Sequence, residues 1–173
     1  TGGFELHYNN MPVFVDPGRG AYGETGDAAY FRSGLVHNIL TVSDADPYPT
    51  NKPYYDDAFR HAVAGAAPEL RGVGDEVVLG HSGVQRIKGV GALRRQWRFT
   101  DKTMILKDEL AGHGSPRGSH KGSHRVTRRF LTPLEAEAGS GGVVLRGTGA
   151  TFHLNSPDAA AEISKITLWH AYG

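Results

Sequence analysis

The 173-residue chain contains no cysteine. That excludes disulfides and thiolate metal sites and leaves the compartment open. It carries no excess of either charge, with 19 Lys and Arg against 18 Asp and Glu, so the balance does not point to nucleic acid. The basic pairs Arg94-Arg95 and Arg128-Arg129 do not change this, because neighbours on a strand point to opposite faces. No apolar run approaches the roughly 18–20 residues of a membrane span, and no charged-then-apolar signal segment opens the chain. A sustained 3.6-residue period is missing too, which argues against long amphipathic helices. A chain of 173 residues supports one domain with a real core and is short for two.

What the sequence does have is glycine, 24 residues scattered singly and in pairs, and a mild surplus of histidine, nine in all. Such glycine marks many turns. Phe4, Leu6 and Tyr8 alternate with Glu5, His7 and Asn9, the period of a half-buried strand. Asn9-Asn10 is a turn signal, and Pro12-Val13-Phe14-Val15 reads as the return strand of a hairpin. The chain enters the first of these strands with no Met and no leader, as a piece of a longer polypeptide would.

Residues 18–26 are too rich in glycine for a regular element and read as a surface loop, followed by a short helical turn around Asp27–Tyr30. The strand pattern resumes from Leu35 to Val42. Residues 43–60 hold three prolines and three tyrosines, a long ordered loop of the kind that lines clefts. Segments 77–81 and 85–88 lead to the clearest hairpin. There Leu93, Arg95, Trp97 and Phe99 alternate with Arg94, Gln96 and Arg98, Thr100–Lys102 turns, and Thr103–Asp108 returns. Further strands are expected at 126–131, 143–145, 150–154 and 163–170. Many short strands with frequent turns mean an all-β fold, an antiparallel sandwich or barrel, formed by residues 1–173 as a single domain.

Chemistry concentrates at Asp16, which ends a strand at Asp16-Pro17-Gly18, and at His37 of the His37-Asn38 pair. A carboxylate and an imidazole are standard donors for Zn²⁺. Against this, an Asp before Pro-Gly commonly bonds its own backbone in a turn, and a strand His is often a hydrogen-bonded structural residue. Two readings also attach to the Gly-Ser-His repeat of residues 113–124: a metal or sugar site using His113, His120 and His124, or a polar loop with incidental histidines. Arg94, Arg95, Arg98, Arg128 and Arg129 suit the carboxylates and sulfates of acidic polysaccharides, or else pair across strands with Asp108 and Glu109. Tyr48, Tyr54 and Tyr55 are placed either to stack on sugar rings or to staple their loop to a sheet. No phosphate-binding loop or serine nucleophile elbow is present.

Several segments together resemble the C-terminal domain of the heparinase II/III-like polysaccharide lyases. They are Phe4-Glu5-Leu6, Met11-Pro12-Val13-Phe14-Val15-Asp16-Pro17-Gly18, Tyr22-Gly23 and the run from Tyr30 to Val42. Arg94–Phe99, Lys107–Gly112 and His124–Phe130 follow in the same order. The resemblance implies an antiparallel two-sheet β-sandwich with long loops that packs on an N-terminal helical domain of the same polypeptide. It also implies a Zn²⁺ held by Asp16 and His37, with a third His ligand and a catalytic His upstream of Thr1. The remaining catalytic groups would lie in the helical domain, so no catalytic residue is assigned within this chain. Arg32, Tyr22, Asn38, Tyr54 and Tyr55 are the expected substrate contacts.

The implied reaction is β-elimination on a uronic-acid polymer such as a glycosaminoglycan, an alginate or a bacterial exopolysaccharide. A base takes the C5 proton, the C4=C5 double bond forms, and the 4-O-linked sugar departs. The setting would be periplasmic or secreted, with no nucleic acid and no membrane span. The fragment alone would be inactive. Two other readings stand beside it: a non-catalytic carbohydrate-binding β-sandwich module, and a metal-dependent barrel enzyme built on the His-rich loop.

Overall fold

Asn9 and Asn10 both take positive φ, 48° and 62°, and this two-residue left-handed turn closes the first hairpin with Tyr8 opposite Met11. Asn tolerates that conformation better than other non-glycine residues, and its hand matches the twist of the flanking strands. The computed structural model describes residues 2–18, 20, 22–23, 25–49, 67–112, 124–139, 141–157 and 160–168. In chain order the strands are β1 (Leu6–Tyr8), β2 (Met11–Phe14), β3 (Leu40–Val42), β4 (Glu69–Val73), β5 (Glu76–His81), β6 (Val90–Phe99), β7 (Met104–Gly112), β8 (Val126–Arg128), β9 (Glu135–Gly139), β10 (Gly142–Gly147) and β11 (Ala150–Asn155). One short helix, α1 (Gly26–Arg32), lies between β2 and β3. All strand pairings among the described residues are antiparallel. The fold is mostly β, as the alternation and turn spacing imply.

The chain divides into two units, Gly3–Asn38 with Arg129–Gly173, and Thr1–Gly2 with Ile39–Arg128. In the first, β1 pairs with β2, and β9, β10 and β11 form a meander. Val13 and Phe14 are buried. The Phe14 ring meets Phe4 edge-on at 6.0 Å and Phe130 at 5.1 Å, an aromatic cluster under the hairpin. Tyr8 meets Phe152 of β11 edge-on at 5.6 Å.

In the second unit, β4 to β7 form a four-stranded meander, and β3 pairs with β8. Leu40, Val42, Val84, Val90 and Leu93 form its core, with Ile87 and Leu110 packed against them. Along β6 the buried row runs Leu93, Arg95, Trp97 and the exposed row includes Arg94 and Arg98, the period of two read from the sequence. Thr100 N–H donates to the Thr103 carbonyl at 2.8 Å and tightens the β6–β7 turn.

Five segments depart from expectation. Residues 35–39 are not strand: Gly34–Val36 form a 3₁₀ turn, with Leu35 N–H capped by Ser33 Oγ, and extended pairing starts at Leu40. Gly83–Arg86 is likewise a 3₁₀ turn, which drives Val84 into the core. Residues 160–168, expected to hold most of a last strand, contain none. Conversely β4 and β9 form from Glu-Leu-Arg-Gly-Val and Glu-Ala-Glu-Ala-Gly, sequences poor in β-formers, because each lies along a stronger neighbour, β5 or β10.

Candidate functional site

Asp16 follows β2 on a turn of its own making: its Oδ1 accepts the Gly18 N–H at 2.8 Å, with Gly18 at φ 69°. The same carboxylate faces His37, whose Nδ1 lies 2.9 Å from Oδ2 and 3.0 Å from Oδ1. The turn-former and site readings of Asp16 are therefore compatible. Both side chains are about three-quarters buried.

The far side of the imidazole is fixed as well. His37 Nε2 lies 2.8 Å from the Phe31 carbonyl near the end of α1, and a carbonyl can only accept, so Nε2 carries a proton. Nδ1 then faces a carboxylate, which also only accepts. Two electron-rich atoms are held together at this point, and a cation belongs between them, either a proton on Nδ1 or a metal ion. Two ligands about 2 Å from a tetrahedral ion lie about 3.3 Å apart, so a small spread of the observed pair would admit one. An imidazole whose other nitrogen donates to a backbone carbonyl is the usual support of a metal-bound histidine. Among the described residues no group of three or more His, Cys, Asp or Glu converges on a metal position. The described residues supply two donors that fit zinc and no third.

The glycine-rich loop contributes to this geometry. Gly20, at φ 69°, passes so close to the Phe31 ring that an added Cβ would lie 2.7 Å from it, and the Phe31 carbonyl is the one that holds His37. α1 itself carries Asp27 in its first turn and Arg32 in its last, in accord with its dipole.

Of the expected substrate contacts, Tyr22 is 83% exposed. Arg32 is half-buried, and its Nε donates to the Ala28 carbonyl at 3.1 Å. Asn38 is wholly buried and spends its amide on backbone groups: Nδ2 donates to the Phe4 and Val15 carbonyls at 2.7 and 2.9 Å, and Oδ1 accepts from Leu131 N–H at 2.6 Å. Tyr54 and Tyr55 lie outside the described residues, as do His113 and His120. His124 is described, and its two nitrogens meet Ser43 Oγ at 3.0 Å and the Lys88 carbonyl at 2.9 Å. That is a bracing role.

The arginines follow the cross-strand reading. Arg94 pairs with Glu109 at 3.1 Å, Arg98 with Glu76 at 2.6 Å, and Arg95 and Arg128 share the Asp108 carboxylate, each through an Nε at 2.7 Å. The exposed Glu109 carboxyl is held below its usual pKa, first by its hydrogen bond from Lys107 and then by Arg94. Tyr48 staples its loop. Its ring lies 5.6 Å from that of His81, tilted by 34°, and burial pushes its hydroxyl pKa up. His81, which the sequence did not single out, is buried at the end of β5. Its Nδ1 accepts the Gly83 N–H at 3.3 Å, and burial, with Arg95 nearby, pushes its pKa down to about 4.

No curated protein and no solved structure is significantly similar to this chain. The family described as Heparinase II/III-like, C-terminal, matches residues 1–171. With nearly its whole length matched, the chain belongs to the heparinase II/III-like C-terminal family, a family of polysaccharide lyases.

Proposed function

We propose that this chain is the metal-bearing part of a lyase that cleaves uronic-acid polysaccharide by β-elimination. One observation supports the metal reading above others. His37 is locked by the Phe31 carbonyl with its Nδ1 turned to the Asp16 carboxylate, at a spacing close to that of two zinc ligands. Asp16 and His37 would hold the ion, with a third His ligand contributed from upstream of Thr1. Bound there, Zn²⁺ supplies a fixed positive centre that organises the cleft wall. The chain's own residues align the donors and exclude water behind them, where Phe14, Phe31 and Asn38 are buried.

The acid–base groups belong, on this reading, to an N-terminal helical domain and to the segment joining it to this one. A base there takes the C5 proton, which is acidified by the neighbouring carboxyl. The electron pair forms C4=C5, the C4–O bond breaks, and the departing oxygen is protonated. Negative charge accumulating on the uronate needs donors fixed in advance. Exposed Tyr22 and half-buried Arg32 are the contacts proposed from this chain, together with Tyr54 and Tyr55.

The test incubates the polypeptide that includes the helical domain with alginate, heparan-type and exopolysaccharide substrates, and follows ultraviolet absorbance of the unsaturated uronate. The double bond is expected to appear, and to be lost in Asp16→Ala and His37→Ala. Binding of uronate polymers without any double bond would reject the lyase and leave a carbohydrate-binding module.

A further inference from the structure

Asn38 sits next to His37 in sequence and is, among the described residues of its unit, the most enclosed polar side chain, with no exposed surface. Its amide bridges three stretches remote in sequence. Nδ2 donates to Phe4 O and to Val15 O, and Oδ1 accepts from Leu131 N–H. Val15 N–H in turn donates to Leu131 O at 3.0 Å. Asn38, Val15 and Leu131 thus form a closed ring of hydrogen bonds in which the side-chain amide takes the place of a peptide group in a ladder. That replacement is why the run 35–39 need not be a strand.

Val15 precedes Asp16, and Asn38 follows His37. The Asn38 Nδ2–Val15 O bond therefore ties the two backbones together one residue away from each donor. The Asp16 side adds the Gly18 N–H, and the His37 side adds the Phe31 carbonyl. Neither an acidic nor an apolar side chain of the same shape reproduces these bonds. Asp keeps the acceptor for Leu131 but loses both donors and buries a charge. Leu removes the Asn38 partner of two carbonyls and one N–H.

We propose that Asn38 is the positioning residue of the Asp16–His37 pair: its amide sets the separation of the two donors and so the affinity of the site they form. The metal part of this inference rests on the zinc reading above. The positional part rests on the hydrogen-bond ring alone.

The experiment uses the full chain with Asn38→Ser, Asn38→Asp and, as reference, Asp16→Asn. Zinc affinity is measured by chelator competition below the melting temperature. The ¹⁵N resonance of His37 Nδ1 is recorded after chelator treatment, so that the pair is read without metal. Each Asn38 variant is expected to weaken zinc at least ~10-fold and to move the His37 resonance in the direction produced by Asp16→Asn. A variant that melts lower, yet binds zinc within about twofold of the parent and leaves the resonance in place, would reduce Asn38 to a purely structural residue and overturn the proposal. If the parent chain takes up no zinc, the zinc reading fails, and the His37 resonance alone decides: movement upholds positioning, constancy rejects it. If neither variant folds, hydrogen exchange at the Leu131 amide of the parent decides. Zinc slows it if the clamp and the pair are coupled, and an unchanged rate rejects the coupling.

Discussion

Arg95 and Asp108, directly opposite on β6 and β7, form a two-point pair at 2.7 and 3.0 Å with both side chains only 2% exposed. The guanidinium also donates to the Gly2 carbonyl at 2.8 Å and lies 5.8 Å from the centre of the Trp97 ring. Arg128 of β8 adds its Nε to Asp108, so one buried carboxylate answers two cations. An arginine in the apolar row of a strand persists because its charge is matched and its donors are used.

Removing one member should therefore cost far more than removing both. Asp108→Asn or Arg95→Met alone is expected to lower unfolding free energy by about 3–5 kcal/mol, since each strands a buried partner. The double variant Arg95→Met/Asp108→Leu is expected to lose clearly less than the sum. Urea denaturation of the three variants and the parent measures the coupling. Additive losses would show that the pair does not act as a unit.

Acid should act through His81. Free imidazole takes up its proton near 6.5, whereas folded His81, buried against Tyr48 and close to Arg95, resists down to about 4. Between those values the unfolded chain binds a proton that the folded chain does not, so stability falls as pH is lowered through this window. The contribution is complete above 6.5 and lost near 4. His81→Asn keeps an acceptor for the Gly83 N–H without the titration. Its melting temperature should fall less steeply than the parent's from pH 6.5 to 4, and parallel curves would place the proton uptake elsewhere.

The hairpins were legible in the sequence because both their signals are local. Alternation marked β1 and β6, and the turn signals at Asn9-Asn10 and Thr100–Lys102 marked β2 and β7 as their return strands. Asp16 and His37 were legible as chemistry, and the structure brings them together at 2.9 Å. What the sequence hid were roles set by distant partners. The apolar run from Leu35 reads as strand, yet Asn38 finds its ladder through a side chain to residues up to 93 positions away. The arginines were ambiguous because their partners depend on register, which places Arg94 opposite Glu109 and Arg95 opposite Asp108. Glu69–Val73 became a strand only by pairing with β5.

The Asn9-Asn10 turn leaves room for stabilisation. Asn10 holds φ 62°, where glycine is unstrained and a β-branched residue is strongly disfavoured. Asn10→Gly is expected to raise stability by up to about 1 kcal/mol, and Asn10→Val to lower it by about 1–2 kcal/mol. Thermal denaturation of both reads the difference. A neutral Asn10→Val would mean that the hairpin turn is not formed as described.

Gly18 and Gly20 separate backbone strain from packing. Both sit at φ 69°, but a Cβ at Gly18 meets nothing within 4 Å, while one at Gly20 lies 2.7 and 2.8 Å from ring atoms of Phe31. Gly18→Ala should cost about 1 kcal/mol, the left-handed conformation alone. Gly20→Ala should cost about 2–3 kcal/mol, because the buried Phe31 must also shift within a packed interior. That shift carries the Phe31 carbonyl away from His37 Nε2, so Gly20→Ala is expected to move the His37 ring resonances and Gly18→Ala to disturb them through Asp16 at most weakly. Denaturation and histidine NMR of the two variants check the pair. Equal stability losses with an undisturbed His37 would mean that the glycine-rich loop does not brace the site.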